Sequence, residues 1–162
     1  MRWHPLEQVD ESFFDTAPYV HRYPVDLPVP AAQVWDALTS DQSLGAWQLP
    51  VKSLTWTTPR PFGVGTEREV VLSGGSFGIR ERFFRWDEGK RMSFSATECS
   101  RPLLRRFAED YVVEERPGGS RFTWTIALDP APRARWLFRA SDPLNRMAFR
   151  AVPRAARKHF AS

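Results

Sequence analysis

Apolar and polar residues alternate along much of the chain, with the period of two that is typical of half-buried β-strands. In the first such segment, 19–27, Tyr23, Val25 and Leu27 alternate with charged residues and a proline. Six further segments have the same pattern, and they predict strands at 51–58, 66–73, 77–86, 91–99, 106–115 and 121–128. Short glycine-containing turns join the later segments, which indicates consecutive hairpins and therefore an antiparallel sheet.

Three segments have apolar residues at the 3.6-residue spacing of helices. The first two are short, at 29–40 and 41–47, and the third is a long helix over about 134–160. Pro143 is a point where the long helix is expected to break or restart, and Pro153 is expected to kink it. The apolar side chains expected to face the sheet are Leu137, Leu144, Met147, Ala148, Ala151, Val152 and Ala155.

This order of elements favours one α+β domain over 19–162, preceded by an N-terminal arm at 1–18. A sheet with one apolar face must bury that face, and only the last helix is long enough to cover it. We therefore expect a curved antiparallel β-sheet wrapped around a long C-terminal helix, with two short helices after the first strand. A mainly apolar cavity is expected between the sheet and the helix.

Four segments of the chain resemble the START-like, helix-grip superfamily (SRPBCC), in its polyketide cyclase/dehydrase-like branch. They are VDLPVPAAQVWDALTS, the following DQSLGAW, the strand GVGTEREVVL and the hairpin FAEDYVVEERPGGSRFTWTIAL. The likeness covers about 19–160. It implies a helix-grip fold that binds lipids, polyketides, hormones or similar apolar molecules. Some members of the superfamily are cyclases or dehydratases, and others only bind or transport.

The turn at Gly74 and Gly75 predicts which side chains share a face of the sheet. A two-residue loop there places Arg68 opposite Glu81 on the apolar face. The other face carries the opposite-charge pairs Glu69–Arg80 and Glu67–Arg82. Continued through the later turns, this register places on the apolar face Val70, Leu72, Phe77, Ile79, Phe83, Met92, Phe94, Ala96, Phe107, Tyr111, Val113, Trp124, Ile126 and Leu128, with Leu54 and Trp56 joining them. The polar face, with Ser93, Ser95, Thr97, Thr123 and Thr125, is expected to be exposed.

Four charged residues fall within the predicted apolar face: Arg68, Glu81, Glu98 and Glu109. Buried charge is costly unless it is paired, so the group is either a ligand-orienting or acid–base site or a structural pair near the sheet ends. The candidate ligand-binding residues are Arg68, Val70, Phe83, Phe94, Glu98, Tyr111, Trp124, Ile126 and Trp56. In an enzyme, Glu81, Glu109 or Tyr111 would move protons and Arg68 would stabilise an enolate.

Composition adds few constraints. Cys99 is the single cysteine, so no intramolecular disulfide can form, and the three histidines are widely separated, so we expect no metal and no cofactor. The N-terminal residues contain no apolar signal segment, and no apolar run approaches the length of a membrane span. These features lead us to expect a cytoplasmic protein.

The net charge of +4 is concentrated in the last part of the chain, because residues 131–162 contain eight Lys or Arg and one acid. Arg139, Arg146, Arg150 and Arg157 lie on the polar side of the predicted helix. Such a strip is most often a solvated face, and its alternatives are an anionic membrane surface, an acidic ligand group or an acidic partner. Nucleic acid is not expected, because the rest of the domain is acidic.

Three functions remain open at this point. The first is binding of a small apolar or amphipathic ligand, lipid- or polyketide-like, in the internal cavity. The second is a cyclase, aromatase or dehydratase acting on a polyketide-like substrate. The third is a partner-binding regulator in which the cavity is vestigial.

Overall fold

A computed structural model describes residues 1–41, 51–72, 74–75 and 77–162. The predicted strands and the long C-terminal helical segment all form, whereas the second short helix, predicted at 41–47, lies outside the described residues except for residue 41. In chain order the elements are β1 His4–Pro5, α1 Phe13–Thr16, β2 Tyr19–Leu27, α2 Ala31–Thr39, β3 Val51–Trp56, β4 Glu67–Leu72, β5 Gly78–Asp87, β6 Arg91–Cys99, β7 Leu104–Arg116, β8 Gly119–Pro130, α3 Arg135–Phe149 and α4 Ala151–Ala161.

The strands form one curled antiparallel sheet in the order β2-β8-β7-β6-β5-β4-β3, and β1 adds to β6 outside this path. Each neighbouring pair from β3 to β8 is consecutive in the chain, as the hairpin turns predicted. The first strand, β2, pairs along its whole length with the last strand, β8. With the C-terminal helices on the concave side, this is the predicted α+β helix-grip architecture.

The turn between β4 and β5 has the predicted register. Gly74 and Gly75 adopt φ angles of +89° and +65°, which lie in the left-handed region that favours glycine in two-residue hairpin loops. The resulting cross-strand pairs are Arg68–Glu81, Glu69–Arg80 and Glu67–Arg82. The two faces of this hairpin are therefore as the sequence predicts.

The register of β5 on β6 was predicted wrongly beyond Glu81. A β-bulge between Arg80 and Glu81 shifts the pairing by one residue, so that Arg80 opposes Glu98. A shift of one residue moves a side chain to the other face of the sheet. Glu98 therefore lies on the outer face, where its Oε2 accepts a hydrogen bond from Nη1 of Arg80 at 2.7 Å, and it does not face the cavity.

The register of β7 was also predicted wrongly, but without a change of face. The sequence predicts Ile126 opposite Tyr111. The turn after β7 is instead a two-residue Pro117-Gly118 loop with Arg116 opposite Gly119, and so Tyr111 opposes Trp124. On the other side, Phe94 rather than Ala96 opposes Glu109. Both differences amount to two residues, which is the side-chain period of a strand, so each residue keeps its predicted face.

Part of the outer face of the sheet is covered by the arm at 1–18, contrary to the prediction that the polar face is exposed. Phe13 and Phe14 of α1 pack against Ala108 and Ala127 in a second apolar cluster. Polar side chains beneath and beside the arm are buried: Ser93, Ser95 and Thr125. The sequence pattern identified a polar face, but it did not reveal that the arm folds back over it.

The C-terminal segment is helical, but it forms two helices that meet at Arg150. Pro143 lies inside α3 without ending it, and Pro153 falls in the first turn of α4, where a missing backbone N–H is tolerated. The buried side chains of α4 are Val152, Ala156 and Phe160. In the described ranges, no helix has both the length and the apolar character needed to cross a bilayer.

The face of α3 that contacts the sheet differs from the predicted one. Leu137, Leu144 and Met147 point to solvent, and the inward side carries Phe138, Ser141, Asp142, Asn145 and Phe149. This inward stripe has helical spacing too, but its three polar residues made the more apolar stripe look like the buried one.

Candidate ligand cavity

A cavity of about 240 Å³ lies between the concave face of the sheet and α3. Most of its wall is apolar. The sheet contributes Val70, Leu72, Phe77, Ile79, Phe107, Ile126 and Leu128, and the helices contribute Phe138, Phe149 and Val152. The cavity is also lined by five polar or amphipathic side chains: Arg68, Glu81, Glu109, Tyr111 and Asn145.

Among the described residues, the concave face has two parts, a packed aromatic part and the part that lines the cavity. Phe83 and Phe94, which we predicted to line the cavity, are buried in the solid core instead, with ring centroids 4.8 Å apart. Trp56 packs against Phe83 at 5.7 Å. The buried face of α2 belongs to the same core, because Trp35 and Leu38 lie in this cluster. The aromatic cluster thus lies beneath Arg68, and the cavity lies on the other side of Arg68.

The predicted site residues that do line the cavity are Arg68, Val70, Glu81, Glu109, Tyr111, Trp124 and Ile126. The prediction missed the contribution of the helix, namely Phe138, Asn145 and Phe149. Their spacing of seven and four residues is helical, and this signal could have identified them as a face of α3.

Arg68 and Glu81 form a buried ion pair at the cavity floor. Nε of Arg68 donates to Oε2 of Glu81 at 2.6 Å, and the arginine residue is 1% exposed. Burial is the largest single influence and lowers the pKa of Arg68, but the attraction of Glu81, Tyr111 and Glu109 together with the hydrogen bond to Glu81 raises the pKa above its ordinary value. Burial raises the pKa of Glu81, whereas Arg68 acts in the opposite direction. A hydrogen bond this short between the two charged forms keeps the pair ionised.

The guanidinium of Arg68 is held in place by aromatic rings as well. Its Cζ atom lies 4.4 Å from the ring centroid of Phe94 and 5.1 Å from that of Phe83, which are cation–π distances. Its Nη1 atom is buried and makes no hydrogen bond within the described residues. This unpaired charged donor belongs to a residue that lines the cavity, although the atom itself is covered by the surrounding side chains.

Glu109 is the second carboxyl group of the floor. Its Oε2 atom accepts hydrogen bonds from the Tyr111 hydroxyl at 2.8 Å and from Nε1 of Trp124 at 2.9 Å. Burial, followed by the charge of Glu81, raises the pKa of Glu109 from 4.5 to about 7. Burial and the neighbouring Glu109 also raise the pKa of Tyr111 well above its ordinary value. Tyr111 is therefore a neutral donor, and Glu109 exchanges its proton near neutral pH.

The floor can therefore hold a polar group in two ways. Arg68 offers a fixed positive charge, and Glu109 offers a proton or a negative charge according to pH. The described residues contain no group of three or more His, Cys, Asp or Glu side chains placed to hold a metal ion.

The fold is that of a helix-grip protein, with an internal space of about 240 Å³ between the sheet and the helix. The chain belongs to the family described as polyketide cyclase / dehydrase and lipid transport, whose sequence profile matches residues 21–160. Uncharacterized proteins of Mycobacterium tuberculosis and Mycobacterium bovis are 41% identical to it in an alignment of 159 positions that covers 96% of this chain and 93% of theirs.

Solved structures share the fold at low sequence identity. A Thermus thermophilus protein superposes with a TM-score of 0.69 at 18% identity, covering 88% of this chain and 97% of its own. A Thermobifida fusca protein gives 0.66 at 22% identity, covering 88% and 93%. The Bacillus cereus protein XoxI gives 0.66 at 17% identity, covering 88% and 96%. These likenesses concern the fold alone.

Proposed function

We propose that the protein binds a small amphipathic molecule in the cavity, with an apolar body against the wall and a hydrogen-bond acceptor at Arg68. The observation that carries the proposal is the unpaired Nη1 of Arg68 in a mainly apolar enclosure. Leaving a charged donor buried and unpaired costs about 1–3 kcal/mol or more. A carboxylate, carbonyl or phenolate oxygen of a ligand would remove that cost by accepting a hydrogen bond from Nη1. The same hydrogen bond would orient the ligand.

The size of the cavity favours a compact ligand. A volume of about 240 Å³ corresponds to about eight water molecules in the liquid and lies just below the range of ~300–1,000 Å³ of ordinary small-molecule sites. One or two fused rings suit this space better than a long acyl chain. The surrounding Phe77, Phe107, Phe138 and Phe149 favour an aromatic or otherwise flat apolar body.

The charges of the floor favour an acidic ligand when Glu109 is protonated. Arg68 and Glu81 then neutralise each other, and the Glu109 carboxyl group can donate to a second ligand oxygen. An anionic ligand favours this protonated form, since it disfavours a further negative charge nearby. We therefore expect a ligand carboxylate to bind with uptake of a proton above about pH 7.

The proposal can be tested with 2-naphthoate and naphthalene as compact probes in calorimetric titrations. Ile126→Trp should fill the cavity and abolish binding of both probes. Thr123→Trp, on the outer face of the same strand β8, is the matched control and should leave binding unchanged. If folded Ile126→Trp protein, checked by circular dichroism, binds both probes as the parent does, the ligand site is elsewhere.

The role of Arg68 needs a variant that still folds. In Arg68→Met combined with Glu81→Leu, both charges are replaced together, which is often neutral for stability. This double variant should retain affinity for naphthalene and lose about tenfold or more in affinity for 2-naphthoate, which is the effect of one charge-assisted hydrogen bond. An equal loss for both probes would contradict the assignment of Arg68 as the polar anchor.

A cyclase or dehydratase is the second candidate function, and the raised pKa of Glu109 favours it. An acid–base catalyst works best when its pKa lies near the working pH. The Glu109 carboxylate would take a proton from a carbon next to a carbonyl group, and Arg68 would stabilise the enolate oxygen. A surrogate poly-β-ketone thioester tests this, because product formation that disappears in Glu109→Gln while binding persists indicates catalysis. If the parent protein forms product no faster than the uncatalysed reaction, catalysis is contradicted and ligand binding remains as the proposed function.

A further inference from the structure

We propose that the outward face of α3 docks on an anionic membrane surface. Trp136, Leu144 and Met147 would enter the interfacial region of the bilayer, and arginines beside them would contact lipid phosphates. The proposal does not depend on which ligand occupies the cavity, although α3 both lines the cavity and carries the proposed docking surface.

The apolar side chains of this surface are highly exposed. Trp136 is 72%, Leu144 62% and Met147 64% exposed. They follow one another at spacings of eight and three residues, which places them on one side of a helix. Single exposed apolar residues are ordinary, but a contiguous stripe of large ones marks an interaction site.

The opposite side of α3 is already occupied by the body of the protein. Phe138 and Phe149 line the cavity, and the Tyr23 hydroxyl of β2 donates to the backbone carbonyl of Arg146 at 3.5 Å. Nε2 of His21, also on β2, lies 3.3 Å from Oδ1 of Asp142. These contacts hold the exposed stripe facing away from the sheet.

A basic strip runs beside the apolar stripe. Its members are separated by four, seven and four residues and therefore share one side of α3 and of its C-terminal cap: Arg135, Arg139, Arg146 and Arg150. Asp142 is the single acid of α3, and it is engaged by both His21 and Arg146. An apolar stripe bordered by cationic side chains is the pattern of helices that lie in a membrane interface.

The positive charge continues beyond α3 into a groove between β2 and α4. The groove is lined by Arg22, Arg121, Arg150, Arg154 and Arg157, together with Asp26. Arg121 and Asp26 neutralise each other in a two-pronged ion pair at 2.7 and 3.0 Å. Within the described residues, Arg150, Arg154 and Arg157 form no ion pair, so their charge acts on the surroundings.

A bilayer fits this surface better than other partners do. Interfacial tryptophan and flanking arginine match the layered polarity of a membrane, and each arginine near an anionic surface strengthens binding by about fivefold. Nucleic acid would use the arginines but would leave Leu144 and Met147 in water. A symmetric dimer through the stripe would bring two copies of the basic strip together, which repulsion disfavours. Docking would place the cavity wall formed by α3 against the bilayer.

Sedimentation of the full chain with phosphatidylcholine vesicles, with and without phosphatidylglycerol, tests the proposal. We expect binding to the anionic vesicles, weakened by salt, and little binding to the neutral ones. Trp136→Ser combined with Leu144→Ser should abolish binding, whereas Val64→Ser, at an apolar residue 71% exposed in the loop before β4, should not.

The charge contribution has its own matched pair of variants. Changing Arg139, Arg146 and Arg150 together to Gln should weaken binding to anionic vesicles by about tenfold or more. The same change at the exposed residues Arg82, Arg105 and Arg116, which removes an equal charge elsewhere, should weaken it much less.

Four results would overturn the proposal. The first two are equal binding to neutral and anionic vesicles and no binding to either. The third is an equal loss of vesicle binding in the two arginine triple variants. The fourth is a loss of vesicle binding in Val64→Ser that equals the loss in the double variant of Trp136 and Leu144. Self-association in ultracentrifugation that Leu144→Ser abolishes, without vesicle binding, would assign the face to a second copy of the chain. Salt-sensitive DNA binding that the first arginine triple abolishes, without vesicle binding, would assign it to nucleic acid.

Discussion

Arg68 on β4 and Glu81 on β5 face each other across the hairpin, with Nε of the arginine 2.6 Å from Oε2 of the glutamate. Both residues are buried, and the pair forms the boundary between the aromatic core and the cavity. Nη1 of Arg68 makes no hydrogen bond within the described residues, and this is the atom to which the proposed ligand group would bind.

Breaking this pair is expected to be costly. Arg68→Met or Glu81→Gln alone leaves an uncompensated buried charge and should lower the free energy of unfolding by about 3–5 kcal/mol. The double variant should cost much less than the sum of the two, as denaturant melts would reveal. The exposed pair Arg82–Glu67, with Nε and Oε1 3.9 Å apart, is the control and should show coupling under ~1 kcal/mol. Additive effects at Arg68 and Glu81 would contradict the buried pair.

The pH dependence of stability should carry the signature of Glu109. Its pKa is raised from 4.5 to about 7 in the folded protein, so below the lower value the carboxyl is protonated in both states. As the pH rises from 4.5 to about 7, the unfolded state releases the proton whereas the folded state still holds it. The free energy of unfolding therefore falls by about 3 kcal/mol in total over this range.

Glu109→Gln removes this titration and isolates its contribution. The stability of the variant relative to the parent should therefore rise by about 3 kcal/mol from acidic to weakly alkaline pH, measured in denaturant melts at each pH. Titrations of groups that do not interact with Glu109, such as His21, cancel in this difference. A difference that does not change with pH would mean that Glu109 has an ordinary pKa.

Tyr111→Phe should move the pKa of Glu109 further upward. The hydrogen bond from the Tyr111 hydroxyl favours the carboxylate form, and its loss leaves Trp124 as the remaining donor in the described residues. Carbon-detected NMR titration of the glutamate carboxyl groups would measure the shift directly. A pKa that falls in this variant would contradict the observed hydrogen-bond direction.

The arm at 1–18 should contribute substantially to stability. Phe13 is almost fully buried between the arm and the outer face of the sheet. Phe13→Ala should therefore lower the free energy of unfolding by about 3–5 kcal/mol. Leu137→Ala on the exposed face of α3 is the comparison and should change stability by about 0.5 kcal/mol or less. Equal small effects would mean that the arm does not pack as described.

The positions of the strands and the pairing of Arg68 with Glu81 were predictable because they depend on local features. Alternation of apolar and polar residues identifies a strand, and the Gly74-Gly75 turn sets the register of the hairpin it closes. Glu98 was misplaced because a β-bulge inserts a residue without a recognisable sequence signal. An error of this kind moves a side chain to the opposite face, whereas the two-residue error at Tyr111 left its face unchanged.

The order of elements, the antiparallel hairpins and the presence of charge in an apolar sheet face could be predicted from the sequence, since each follows from neighbours in the chain. Long-range packing determines that Phe83 and Phe94 lie in the aromatic core with the buried residues of α2, while Tyr111 and Ile126 border a cavity. It likewise determines that α3 presents Leu144 and Met147 outward. Which of two helical stripes is buried depends on the shape and polarity of the surface it meets, and that surface is assembled from strands far apart in the chain.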